Sequence, residues 1–117
     1  MTQKSDVANL IALTALVLDQ RLQQLRLAAA ARDRSRRQIA ALDLPPTDHD
    51  LPLPIAGQVS LAYERWADLR RTELNALIAR QTVEWMAARS AASLAFGRAE
   101  ALRGLAARQA REKPRAP

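Results

Sequence analysis

A histidine between two aspartates, Asp48-His49-Asp50, is the one place where this sequence sets an imidazole beside carboxylates. Such residues can hold a metal or move a proton, but adjacent side chains do not converge on one ion without ligands from elsewhere. Nucleophilic catalysis needs a serine or cysteine beside a positioned base. Here there is no cysteine, and the single histidine lies within "LDLPPTDHDLPLP", Leu42 to Pro54, which holds four of the six prolines. No Gly-rich phosphate loop or dinucleotide fingerprint occurs. We therefore expect a polar hinge with no catalytic residue, no metal ligand and no cofactor, in a protein that is not an enzyme.

The second chemically distinct stretch is "RDRSRR", Arg32 to Arg37. Binding a phosphate backbone requires cations that converge, with aromatic or polar groups nearby to read bases. On one helix these arginines point around most of the circumference. That pattern suits a solvated surface or an acidic protein partner better than nucleic acid. Charge alone supports a nucleic-acid reading: the chain carries a net +6, of which residues 1–42 hold +4, the proline segment −3 and residues 55–117 +5.

Whatever positions these groups must be helical. Twenty-five alanines and sixteen arginines favour helix, whereas only three glycines and four aromatics (Tyr63, Trp66, Trp85, Phe96) are available in 117 residues. A single elongated domain with a modest core follows. The run "VANLIALTALVL", Val7 to Leu18, lacks a signal-peptide cleavage site and falls short of the ~20 residues that span a bilayer. We expect no membrane span and a cytoplasmic location.

Ser5 is the expected cap of a first helix over residues 5–42, with the apolar seam Ala8, Ile11, Ala15, Leu18, Leu22, Leu25, Ala29, Arg32, Arg36, Ile39. Residues 43–54 form a proline-rich hinge. A second, longer helix covers residues 55–112, and 113–117 read as a disordered tail. Its seam begins Val59, Ala62, Trp66, Leu69, slips in phase, and resumes as Leu74, Ile78, Gln81, Trp85, Ala88, Ala92, Ala95, Ala99, Leu102, Ala106. Trp66 and Trp85 are expected in the core. Neither helix can bury its seam alone, so the fold class is all-α, an antiparallel two-helix coiled-coil hairpin.

Pairing outward from a level hinge sets Leu10–Leu18 beside Gln81–Arg89. Both stretches are apolar over more than one face. Leu10, Leu13, Val17, Val83 and Met86 thus become candidate contacts for a second chain, either another protein or a second copy. The same pairing leaves helix two overhanging from about Phe96, so Leu102, Arg103, Leu105 and Arg108 become candidates for docking into a partner.

The segment "YERWADLRRTELNALIARQTVEWMAARSAASLAFGRAEAL", Tyr63 to Leu102, resembles the second helix of the FliJ/YscO family of flagellar and type III export. The resemblance implies a coiled-coil stalk or adaptor that engages the hexameric export ATPase, the export gate and chaperones, peripheral at the membrane export apparatus. An export-chaperone-like holder of unfolded partners is a weaker alternative. The chain is shorter than usual for that family, its proline-rich hinge replaces a more continuous helical turn, and the resemblance assigns no individual residue.

Overall fold

The computed structural model describes residues 2–44 and 51–112. Two helices account for nearly all of them: α1, Thr2–Ala41, and α2, Leu53–Glu112. They pack against each other as an antiparallel all-α hairpin, with α2 the longer at 60 residues against 40. Because α1 begins at Thr2, Ser5 lies inside the helix rather than capping it. Pro54 falls within the first turn of α2, where a missing amide proton costs nothing, and the Pro52 carbonyl accepts the Ala56 amide. Asp48, His49, Asp50 and the tail from Lys113 lie outside the described residues.

The chain divides into two compact units. One joins α1 up to Leu27 with α2 from Met86. Its contact sets small residues of α2 against larger ones of α1: Ala92, Ala95 and Ala99 are buried, and Ile11, Leu18 and Leu25 of α1 are half-buried. The other unit, Ala28–Trp85, has a core of Leu42, Ala67 and Leu74, with Ile39, Tyr63 and Leu77 packed around it. Among the described residues Leu74 is the largest side chain that is fully buried.

In α2 the buried and half-buried positions from Leu74 to Ala106 follow the seam expected from sequence. Before Leu74 they do not. The inward residues are Tyr63, Ala67 and Arg70, which continue the 3–4 spacing without a slip, while Val59, Ala62, Trp66 and Leu69 are exposed. Trp66 is therefore not a core residue. The irregularity sits further along, where the adjacent pairs Leu77–Ile78 and Gln81–Thr82 are all half-buried. A four-residue step of this kind locally widens the contact face.

In α1 the second column of the seam is Val7, Thr14, Arg21, Ala28, Ser35 and Leu42, and Arg36 is exposed. The polar members of this column are satisfied within their own helix. Thr14 Oγ1 donates to the Ile11 carbonyl at 2.9 Å, and Ser35 Oγ donates to that of Ala31 at 3.3 Å. Arg21 donates to Gln24 Oε1 at 3.2 Å.

The pairing register also differs from the level-hinge expectation. Lys4, Val7, Ala8 and Ile11 line one pocket with Ala106, Gln109 and Ala110. Residues beyond Phe96 therefore face the start of α1 and do not overhang. At the other end, Leu42 meets Ala67 and Leu74, so about four turns of α2 precede the level at which α1 ends. Heptad spacing looks the same after any shift by seven residues, and only particular side-chain contacts select one register.

Candidate interaction surfaces

The end of α1 shows how α2 positions the hinge. The last turn of α1 tightens: the amides of Leu42, Asp43 and Leu44 bond the carbonyls of Ile39, Ala40 and Ala41. Terminal carbonyls left over at a helix C-terminus need donors. Two α2 side chains supply them. The Tyr63 hydroxyl lies 3.1 Å from both the Leu42 and the Leu44 carbonyl oxygens, sharing its proton between them. Arg71 donates from one nitrogen to the Leu42 carbonyl and to Asp43 Oδ1, both at 3.2 Å, and from the other to Asp68 Oδ1 at 2.9 Å. A guanidinium at a helix C-terminus also complements the helix dipole.

Within "RDRSRR" the arginines separate by role. Arg32 is half-buried and turned across to α2, where its Nε donates to Thr82 Oγ1 at 3.0 Å. Its guanidinium lies 5.2 Å from the Trp85 ring centroid, within cation–π range. Thr82 passes its own proton to the Ile78 carbonyl at 2.7 Å. Ser35 is buried, while Arg34, Arg36 and Arg37 are exposed. Arg32 is thus committed to the hairpin, and the exposed arginines do not converge with it on a common ligand.

Leu10, Leu13 and Val17 lie three and four positions apart on one exposed stripe of α1, Leu13 being 57% exposed. Met86 lines an open groove of about 760 Å³ on α2, together with Ser90, Leu94, Gly97 and Ala101. Val83 is exposed but does not line that groove. Leu102 turns inward and is half-buried, whereas Leu105 remains largely exposed. Arg103 pairs with Glu100 at 3.4 Å on the open surface, a contact of small energetic weight, and Arg108 is exposed.

The capping pair Tyr63 and Arg71 lies outside the apolar seam, so hydropathy spacing does not reveal it. The apolar stripe that ends in Leu69 is legible in the sequence but lies outside the core. Among the described residues no cluster of His, Cys, Asp or Glu could hold a metal, and no helix is long and apolar enough to cross a membrane. Comparison with known proteins adds no assignment: no family model, curated protein or solved structure matches this chain. The helices and surfaces define a hairpin that leaves several apolar faces uncovered.

Proposed function

We propose that this hairpin is a non-enzymatic coiled-coil adaptor or stalk that works by docking other proteins. The observation that carries the reading is the uncovered apolar surface at Leu10, Leu13, Val17 and Met86, which the contact between the two helices leaves exposed. Burying one such side chain is worth roughly 1.5–3 kcal/mol, so a few together can hold a complex. The resemblance of Tyr63–Leu102 to the FliJ/YscO family supplies the candidate partners: the hexameric export ATPase first, then the export gate and its chaperones. On this reading the protein is cytoplasmic and peripheral at the export apparatus.

The test is direct. Full-length protein mixed with the purified export ATPase should bind and raise its ATP hydrolysis. Leu13→Asp with Met86→Asp should weaken binding by at least ~10-fold, given the burial energies at stake. Affinity that barely changes with salt supports apolar docking. The net +6 leaves nucleic acid as the second reading. It would replace the first if the protein ignored the ATPase and bound duplex DNA with an affinity that collapsed between low and moderate salt.

A further inference from the structure

Met86, Ser90, Ser93, Leu94, Gly97 and Ala101 shape an open groove of about 760 Å³ along α2, and Arg89 and Arg98 complete its lining. The groove exists because its floor is short: Ser90, Ser93, Gly97 and Ala101 follow one another at steps of three, four and four. The trough runs with the helix for about 22 Å, from Met86 to Ala101. The bulkier Met86 and Leu94 stand beside the floor, 57% and 56% exposed. Every described residue of the lining belongs to α2, and the face that α2 buries is another one, through Ala92, Ala95 and Ala99. The charge of the lining is all of one sign. Arg89 and Arg98 are both exposed, and Arg98 has no hydrogen-bond or ion-pair partner among the described residues. The nearest carboxylates along α2, Glu84 and Glu100, do not line the groove, and Glu100 is engaged by Arg103 at 3.4 Å. From Met86 to Glu112 the helix holds five arginines and two glutamates, a net +3.

We infer that this groove is the docking site of an acidic amphipathic helix from another protein. The short floor lets a second helix axis approach toward the lower end of the ~8–10 Å packing range. Apolar residues of that helix at 3–4 spacing fill the trough against Met86 and Leu94, while glutamates or aspartates on its flanks meet Arg89 and Arg98. The apolar filling supplies most of the affinity, and the arginines choose between partners. A second copy docked groove to groove sets +3 against +3. A phosphate backbone would meet the arginines but has no apolar groups to fill the trough. This occupant belongs to the docking function proposed above, at its Met86 face, and rests on that reading without drawing on Leu10, Leu13 or Val17.

The experiment uses two labelled helical peptides of about 20 residues, long enough to cover the groove. They share leucines and alanines at 3–4 spacing, flanked by glutamate in one and lysine in the other. Anisotropy against the full-length protein should show the glutamate peptide saturating at a concentration at least ~10-fold lower than the lysine peptide, with the gap narrowing at high salt. Because the whole chain carries +6, variants must separate the groove from general attraction. Gly97→Leu fills the trough without altering charge, and a Cβ there meets nothing within 4 Å, so the circular-dichroism spectrum should be unchanged. It should weaken glutamate-peptide binding at least ~10-fold. Arg98→Glu should weaken that binding several-fold, whereas Arg34→Glu, the same charge change on the exposed surface of α1, should not. The Arg98 and Arg34 variants decide between them should Gly97→Leu disturb the fold. The inference falls if neither peptide binds, if both bind equally, if a folded Gly97→Leu protein binds as well as the parent, or if Arg34→Glu matters as much as Arg98→Glu. It also falls if Gly97→Leu abolishes self-association in sedimentation or binding of duplex DNA, because the occupant is then a second copy or a nucleic acid. No ATPase enters the assay: peptide failure with intact ATPase binding removes the groove assignment alone, and the reverse removes only the ATPase reading.

Discussion

Tyr63 closes the C-terminus of α1 with its hydroxyl and braces Trp66 with its ring. Tyr63→Phe keeps the ring and removes the proton shared by the Leu42 and Leu44 carbonyls. We predict a loss of about 1–2 kcal/mol in urea unfolding, since part of that loss can be recovered by water. An unchanged midpoint would mean that the carbonyls are already solvated and that the latch is incidental. Arg32 is a similar case further along the same unit. Arg32→Met retains the aliphatic stem but loses both the Thr82 bond and the indole contact. The expected cost is about 1–2 kcal/mol, accompanied by a change in Trp85 emission. If stability held while partner binding fell, Arg32 would be a recognition residue and not a structural one.

At the scale of the helices, Gln81 is the weakest point. Its Oε1 is buried without a hydrogen-bond partner, at the place where the seam takes its four-residue step. Gln81→Leu should therefore raise stability by about 1 kcal/mol, measured as a higher thermal midpoint. A lower midpoint would show that the amide is bonded to solvent in the wider contact. Gly97 and Gly104 sit in regular helix, and a Cβ built at either meets nothing within 4 Å. Replacing each with alanine should add up to ~1 kcal/mol. The register yields a further prediction. Because Ala99, Leu102 and Ala106 share the inward face opposite the first turns of α1, truncation after Phe96 should strip protection from amides of residues 4–18 in hydrogen exchange. Retained protection there would contradict the pairing.

Much of this was legible in the sequence, and the misses have physical causes. Two helices, their order and the inward face from Leu74 to Ala106 follow from apolar spacing alone. In α1 the column through Ile11, Leu18, Leu25 and Ile39 was likewise apparent. Its partner column was not, because Thr14, Arg21 and Ser35 are polar and become tolerable only through local bonds that a hydropathy pattern does not encode. Between Ile55 and Leu69 two faces of α2 compete. Apolar spacing alone favours the one with Val59, Trp66 and Leu69 for the interior. The chain instead turns inward the face whose Tyr63 and Arg71 can reach the carbonyl end of α1. Among the candidate contacts, Leu10, Leu13, Val17, Val83 and Met86 are all exposed, whereas Leu102 belongs to the helix contact.

For the whole molecule, the two units have different grounds for stability. The core around Leu74 buries a large side chain fully, whereas in the other contact the buried residues are Ala92, Ala95 and Ala99 and the larger Ile11, Leu18 and Leu25 are only half-buried. Alanine has no rotamers to freeze, and it removes little apolar area from water. The contact it forms is consequently cheap to open and cheap to remake. Calorimetry should show a broad transition with a small heat-capacity step, and not one sharp cooperative peak. A single sharp peak would indicate that the two cores melt together. The alanine contact also leaves α1 exchangeable in its first turns. Any helix offering a comparable row of aliphatic residues could trade places with it against the small alanines of α2, so the pairing that closes the hairpin can be handed over to another helix.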